Sequence, residues 1–164
     1  RPVSLPSDYL RTQRVLKPLT LRDQLGNTFD NSKFKGKKTV LTFAFSQCDT
    51  VCPLVIKNSL KAVQGQQGAQ LVIVTLDPWR DRPSRLKAAL KMWNAPAENS
   101  FMLTGDVPNV ENTLKDLNVP YKRNLKTGFV EHPALVYIVD QTGKIIYSFN
   151  NPSAKWMKDA LGRI

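Results

Sequence analysis

The chain has 164 residues, of which 41% are hydrophobic and 23% charged, and this ordinary composition favours one globular domain with its own core. No apolar run approaches the roughly 18–20 residues that cross a bilayer. The net charge of +11 comes from 24 basic and 13 acidic residues. The sequence has no run of five basic residues and no aromatic-interleaved basic motif, which argues against nucleic acid as a partner. An acidic protein, an anionic membrane and a simply solvated basic surface remain open.

Residues 1–15 are predicted to form a tail, because Pro2, Pro6 and several polar residues show no clear period. The chain starts at Arg1 rather than at Met, and we expect a membrane anchor or leader to have preceded the tail. Residues 16–164 are expected to form one domain.

The rest of the sequence predicts hairpins, strands and helices in a definite order. Hairpins are predicted over residues 16–29, with a glycine at the turn, and over residues 121–130. Strands are predicted over residues 37–45, 70–76, 101–103, 134–139 and 144–149. Helices are predicted from Pro53 to near Gly65 and over residues 83–93, 107–117 and 153–161. This order predicts an α/β fold with a mixed sheet flanked by helices, and a thioredoxin-like fold with inserted elements fits it.

The only two cysteines, Cys48 and Cys52, lie between the predicted central strand and the first helix. This is where α/β folds place their chemistry, and a helix N-terminus favours the thiolate. At positions i and i+4 of a helix, the two Cα atoms would lie roughly 6 Å apart, which suits a disulfide or two ligands of one metal. The spacing differs from the C-x-x-C of thiol oxidoreductases. A pair of buried thiols and a structural disulfide, which would close too short a loop to stabilise much, are the alternatives.

The only histidine, His132, precedes the predicted strand 134–139, and Pro133 keeps its backbone extended. A histidine in a loop is, taken alone, more often structural or solvated. If strand 134–139 lies beside strand 37–45, however, the imidazole should lie near the cysteines. Two thiolates and one imidazole form a soft site that suits copper, as Cu(I) or Cu(II), or zinc with a water.

Asp77 follows the predicted strand 70–76 at the same edge of the sheet. It is expected either to accept a hydrogen bond behind the metal ligands or to be a weak fourth ligand. The alternative is that Asp77 and Asp81 pair with Arg80 or cap the following helix.

Four motifs, in this order, resemble those of the Sco/SenC copper chaperones. They are F-x-x-x-Q-C-D-T-V-C-P (Phe43–Pro53), T-L-D-P-W-R-D (Thr75–Asp81), L-T-G-D (Leu103–Asp106) and E-H-P-A-L-V-Y-I-V-D-Q-T-G (Glu131–Gly143). The resemblance implies a thioredoxin-like fold and service to the dinuclear copper centre of cytochrome c oxidase. It implies that Cys48, Cys52 and His132 are the copper ligands and that Asp77 is the aspartate of the second motif.

The resemblance also implies partners and a location. The partners would be the copper-receiving subunit of cytochrome c oxidase or another copper protein, and in addition another copper chaperone or a thioredoxin-like reductant. The location would be the periplasmic face of the bacterial inner membrane, or the mitochondrial intermembrane space, behind an N-terminal anchor. Where the family has C-P-D-x-C-P, this chain has Asp49 and Thr50. We expect the carboxylate of Asp49 to raise the pKa of the neighbouring thiols and to attract a cation.

Two other functions use the same residues or the same fold. A thiol–disulfide oxidoreductase that reduces the client's copper-ligand cysteines would need Cys48 and Cys52 but not His132, so the question whether the protein is an enzyme stays open. Peroxide reduction is disfavoured, because the T-x-x-C turn and a convincing arginine partner are missing and fold analogy alone is a weak argument.

Overall fold

The computed structural model describes residues 10–47 and 51–164. The strands in these residues are β1 (Leu10–Val15), β2 (Thr20–Arg22), β3 (Thr28–Asp30), β4 (Lys38–Ala44), β5 (Ala69–Thr75), β6 (Ser100–Leu103), β7 (Lys122–Arg123), β8 (Val130–Glu131), β9 (Leu135–Val139) and β10 (Lys144–Asn150). The helices are α1 (Val51–Gln64), α2 (Pro83–Met92), α3 (Val107–Asp116) and α4 (Ala154–Gly162), with a 3-10 helix over Asn31–Phe34.

The main sheet has six strands in the order β1-β10-β9-β4-β5-β6. Strands β4, β5 and β6 are parallel, and each is joined to the next by a crossover that contains a helix. Strands β9, β10 and β1 run antiparallel to their neighbours. The central strands β4 and β5 are buried along almost their whole length, which is why their sequences are nearly continuous apolar runs. The predicted mixed α/β sheet is confirmed.

The helices begin where the sequence carries start signals. Proline occupies the first turn of α2 and α3, where no N–H is needed, and the Ser153 hydroxyl oxygen accepts a hydrogen bond from the Trp156 N–H (3.2 Å) at the start of α4. Helices α1 and α4 pack against each other, α2 lies beside β6 and α3 beside β5. None of the helices in the described part of the chain is long and apolar enough to span a membrane.

Both predicted hairpins are present as separate two-stranded sheets, β2–β3 and β7–β8. The first is fastened to the main sheet because Arg22 and Thr104 exchange two backbone hydrogen bonds of 2.8 Å. The second leads from α3 to the residues just before β9. Its turn is held by the Asn124 side chain, whose Oδ1 accepts from the N–H groups of Lys126 (2.9 Å) and Thr127 (3.1 Å).

Strand β1 corrects the prediction of a tail over residues 1–15. Residues Leu10–Val15 pair antiparallel with β10 and form an edge of the main sheet, with an irregularity in register between Arg11 and Arg14. The guanidinium of Arg14 lies over the Tyr137 ring at 5.3 Å from its centroid. The folded domain therefore includes these residues, and residues 1–9 lie outside the described part of the chain.

Candidate metal centre

The topology brings the end of β4 and the start of β9 together. The two strands are antiparallel neighbours, with Thr42 opposite Val136, and the Thr42 hydroxyl donates to the Leu135 carbonyl oxygen at 2.8 Å. The adjacency of these two strands, on which the expected position of His132 depends, is therefore confirmed. Strand β4 runs toward Cys48, and β9 begins three residues after His132.

The rings of Phe45 and His132 make the contact between these two segments. Phe45 follows β4, is 1% exposed and lies three residues before Cys48. Its ring centroid is 5.9 Å from that of His132, with the planes at 75°, and 6.3 Å from that of Phe129, with the planes at 82°. Such edge-to-face arrangements are favoured by the quadrupoles of aromatic rings. The imidazole is therefore held against the end of the strand that leads into Cys48.

The hydrogen bonding of His132 suits a metal ligand. Its Nδ1 lies 2.9 Å from the Pro133 carbonyl oxygen, and because a carbonyl only accepts, this contact puts the proton of the neutral ring on Nδ1 and the lone pair on Nε2. Histidines that bind metals generally have this kind of second contact, which fixes the tautomer and the ring. Burial lowers the pKa of His132 below its ordinary value, although the hydrogen bond with Pro133 acts in the opposite direction. Burial therefore favours the neutral form of the ring.

The structure describes only part of the cysteine segment. Helix α1 begins at Val51, two residues before the predicted start at Pro53, so the backbone of Cys52 belongs to the first turn, where the helix dipole favours a thiolate. Cys48 and the side chain of Cys52 lie outside the described residues, and their role as ligands stays a prediction. The described part of the chain contains no group of three His, Cys, Asp or Glu side chains arranged to hold a metal.

The carboxylate of Asp81 fixes the turn that follows β4. It is 2% exposed and accepts hydrogen bonds from the Ser46 N–H (3.0 Å), the Ser46 hydroxyl and the Thr75 hydroxyl (2.8 Å). The alternative that Asp81 pairs with Arg80 or caps the next helix is wrong, because its carboxylate is used by Ser46 and Thr75, and α2 has Arg82 at its cap position without a side-chain bond. Ser46 lies two residues before Cys48, so Asp81 positions the approach to that cysteine.

Asp77 is 1% exposed and lies between two arginines. Arg80 Nε is 2.5 Å from its Oδ2, and Arg123 Nε is 3.8 Å from its Oδ1. The expected pairing of Asp77 with Arg80 is confirmed, whereas its role beside a metal stays a prediction. Within the described residues, Asp77 Oδ1 accepts no hydrogen bond. The Arg123 guanidinium also lies over the ring of Trp79, at 4.5 Å from the centroid.

Sequence reasoning did not identify the contacts that Arg80, Phe45 and Phe129 make in this region. Arg80 reaches across to both the turn at Ser46 and Gln47 and the β7–β8 hairpin, with hydrogen bonds to Gln47 Oε1 (2.6 Å) and to the Gly128 carbonyl oxygen (2.8 Å). The available signal was its place inside the motif Thr75–Asp81. Nothing in the spacing showed which residues it would contact.

Known proteins are similar to this chain in sequence and in fold. The sequence model of the SCO1/SenC family matches residues 7–159. The mitochondrial protein SCO1 of Saccharomyces cerevisiae is 30% identical over 156 residues, which are 89% of this chain and 48% of the yeast protein. This chain thus spans about half the length of that relative.

Two solved structures are similar over nearly the whole chain. A SCO1/SenC family lipoprotein of Bacillus anthracis is 26% identical, with a TM-score of 0.82 over 97% of this chain and 96% of that one. Yeast Sco1 with copper bound is 27% identical, with a TM-score of 0.78 over 92% of this chain and 87% of that one. Because the family model covers most of the sequence and the fold agrees throughout, the chain belongs to the SCO1/SenC family.

Proposed function

We propose that this protein is a copper chaperone in which the thiolates of Cys48 and Cys52 and the imidazole of His132 bind one copper ion. The observation that carries the proposal is the contact of the His132 ring with Phe45, three residues before Cys48. The copper-bound structure of yeast Sco1, a relative with the same fold, supports copper as the metal. The recipient we propose is the dinuclear copper centre of cytochrome c oxidase or of a related copper enzyme.

The donor atoms of the proposed site suit a metal that is bound and then transferred to another protein. Thiolate and imidazole are soft or intermediate donors that select copper over harder ions. A neutral imidazole binds a metal without first losing a proton, and the lowered pKa of His132 favours this neutral form. Transfer would proceed by ligand exchange, in which the client's ligands replace those of the chaperone one at a time and no electron is moved.

The β7–β8 hairpin provides a basic surface beside His132 for an acidic client. Lys122 and Lys126 are exposed, and Leu125 at the hairpin turn is 88% exposed. Arg123, the third cation of the hairpin, is instead engaged by Trp79 and Asp77. We therefore propose that Lys122 and Lys126 accelerate encounter with an acidic copper-receiving subunit, an effect that added salt should weaken.

Thiol–disulfide exchange is the second candidate function, and the place of Cys52 in the first turn of α1 favours it. In that reaction one thiolate attacks the client disulfide, and the second thiol resolves the mixed disulfide. The client gains two electrons and two protons, and Cys48 and Cys52 become a disulfide, which a thioredoxin-like reductant must reduce again. Such a disulfide would persist in an oxidising compartment.

We further propose that the protein works on a membrane, with the domain from Leu10 onward carrying the copper site behind an N-terminal anchor. The lipoprotein of Bacillus anthracis and the mitochondrial SCO1 of yeast support such a location. The periplasmic face of the bacterial inner membrane is the first choice, and the mitochondrial intermembrane space is the second.

The test is an anaerobic titration of the fully reduced protein with Cu(II), followed by absorption spectroscopy and a thiol count at the end point. We expect one Cu(II) per chain and a thiolate-to-copper charge-transfer band. Cys48→Ala and Cys52→Ala should each abolish tight binding, and His132→Ala should weaken binding and move the band. Unchanged stoichiometry in either cysteine variant would contradict the proposed site.

The same samples separate the two candidate functions. If wild-type protein shows no such band and its thiols are consumed, so that two Cu(II) are reduced for each disulfide formed, the reductase function is favoured. A His132→Ala variant that reduces a client disulfide at the wild-type rate would support the same conclusion, because exchange needs only the cysteines.

A further inference from the structure

The guanidinium of Arg80 contacts three separate parts of the chain. Its Nε donates to Asp77 Oδ2 (2.5 Å), its Nη1 to Gln47 Oε1 (2.6 Å) and its Nη2 to the Gly128 carbonyl oxygen (2.8 Å). Gln47 directly precedes Cys48, and Gly128 lies four residues before His132. We call the contacts of Arg80 with Gln47 and Gly128 the Arg80 bridge, since they join the two segments that carry the predicted copper ligands.

The hairpin is shaped to receive this guanidinium. Gly128 has a φ of +74°, and a Cβ at this position would lie 3.0 Å from Arg80 Nη1 and 3.1 Å from Cζ. Any other residue would strain the backbone and push the guanidinium away from the Gly128 carbonyl. Gly68 has the same φ of +74° but open space around it. A substitution at Gly68 therefore strains the backbone in the same way without touching the Arg80 bridge.

A buried carboxylate fixes the orientation of the Arg80 guanidinium. Asp77 is buried and bonds to Nε, which fixes the plane of the guanidinium. Because that plane presents its donors in a rigid fork, the two terminal nitrogens point in set directions toward Gln47 and Gly128. A lysine has one ammonium group and cannot make these three contacts with the same geometry.

We infer that Arg80 is a positioning residue that holds the β7–β8 hairpin against the turn at Ser46 and Gln47, and that it thereby sets whether His132 joins the two thiolates on copper. This inference rests on the proposed function. For the removal of Arg80, it predicts a change in copper affinity of the opposite sign to that of a simple charge effect. Removal of a cation near a site for Cu(II) should strengthen copper binding by electrostatics alone, whereas loss of the Arg80 bridge should weaken it.

A double-mutant cycle between Arg80→Met and His132→Ala tests the inference. In the presence of His132, Arg80→Met should lower Cu(II) affinity by about 10- to 100-fold, the range usual for residues that orient metal ligands, and should move the charge-transfer band toward that of His132→Ala. In the His132→Ala background, it should change the affinity by less than about threefold, because the two residues act through one interaction. An equal loss in both backgrounds, or tighter binding, would overturn the inference.

Matched variants separate the bridge from charge and from backbone strain. Arg82→Met removes an exposed cation two residues further along the chain and should leave affinity and band unchanged. Gly128→Ala should reproduce the effect of Arg80→Met on the copper band, whereas Gly68→Ala should affect stability alone. If Gly128→Ala leaves the band in its wild-type place, the bridge does not position His132.

A measurement on the metal-free protein decides the inference even if the proposed function fails. Since the chain has one histidine, the His132 ring gives one set of NMR signals, and its nuclear Overhauser effects to Phe45 report the distance between the two segments. Arg80→Met should weaken these effects and speed amide hydrogen exchange in the hairpin. Unchanged effects and exchange rates would overturn the inference, whereas absence of copper binding in the wild-type protein would overturn only the proposed function.

Discussion

Ser46 donates two hydrogen bonds to the carboxylate of Asp81, one from its backbone N–H at 3.0 Å and one from its hydroxyl. The carboxylate also accepts from Thr75 at the end of β5. One buried side chain therefore ties together the ends of the two central parallel strands, at the point where the chain turns toward Cys48. The turn at Ser46, two residues before Cys48, is therefore held by a carboxylate that acts as the acceptor in all three of these hydrogen bonds.

Asp81→Asn should destabilise the protein. The amide replaces one accepting oxygen with a donor that faces the donors of Ser46 or Thr75, so we expect a loss of about 1–3 kcal/mol in the free energy of unfolding, measured by urea denaturation at pH 7. Asp116→Asn is the control, because among the described residues the Asp116 side chain has one exposed ion pair, with Lys17 at 3.7 Å, and the substitution should cost less than about 1 kcal/mol. Similar losses in the two variants would show that the Asp81 contacts contribute no more than a surface pair.

Phe45→Leu should weaken copper binding through its contact with His132. Leucine keeps the site apolar and nearly filled, so the expected loss of stability is under about 1.5 kcal/mol, but it removes the ring edge that meets the imidazole. Phe34→Leu is the matched control, since Phe34 is also fully buried and meets Phe29 edge-on at 5.6 Å. Cu(II) titration should show weaker binding in Phe45→Leu alone, and equal binding in both variants would contradict the role given to the Phe45–His132 contact.

The sequence predicts those strands of the sheet whose burial produces a recognisable apolar pattern. Strands β4 and β5 are buried on both faces and have nearly continuous apolar sequences, so their predicted bounds lie within one residue of the observed ones. Strand β1 has the sequence LRTQRV and lies at an edge, where backbone pairing with β10 supplies the contacts. This sequence has no apolar alternation, so the pattern alone predicts a tail there.

The sequence predicts those features of the site that follow from which strands are neighbours in the sheet. If strands β4 and β9 are neighbours, as they are in the structure, His132 is expected near the segment that contains the cysteines. The hydrogen bonds of Arg80 to Gln47 and Gly128 span 33 and 48 residues, and the partners of such long-range side-chain bonds depend on the positions of three loops. No local spacing encodes those positions.

Asp140→Asn should remove a stabilising contribution that depends on pH. Partial burial acts to raise the pKa of Asp140, but hydrogen bonds from the Thr142 side chain and from the backbone N–H groups of Lys144 and Thr142, with the Lys144 charge, outweigh it and hold the pKa below its ordinary value. A carboxyl with a lowered folded pKa stabilises the fold fully above its unfolded pKa, which is about 4, and loses that effect as pH falls through the folded pKa.

Unfolding free energies of wild-type protein and Asp140→Asn should therefore differ at pH 7 and converge as the pH is lowered below about 4. Asp106→Asn is the control, because the exposed Asp106 side chain makes no cap hydrogen bond at the start of α3. A difference between wild type and Asp140→Asn that stays constant from pH 7 to pH 3 would show that the carboxylate charge contributes nothing.

Asp77→Asn should distinguish a counter-charge from a metal ligand. In the structure the Asp77 carboxylate faces Arg80 and Arg123, so its neutralisation removes the counter-charge of two guanidinium groups and loosens the Arg80 bridge. We expect lower stability, by about 1–3 kcal/mol, and weaker Cu(II) binding. The charge-transfer band should shift toward that of Arg80→Met, because the ligand lost from copper would be His132. If the band of Asp77→Asn instead differs from those of both Arg80→Met and His132→Ala, the carboxylate is itself a ligand, and the pairing with Arg80 must break when copper binds.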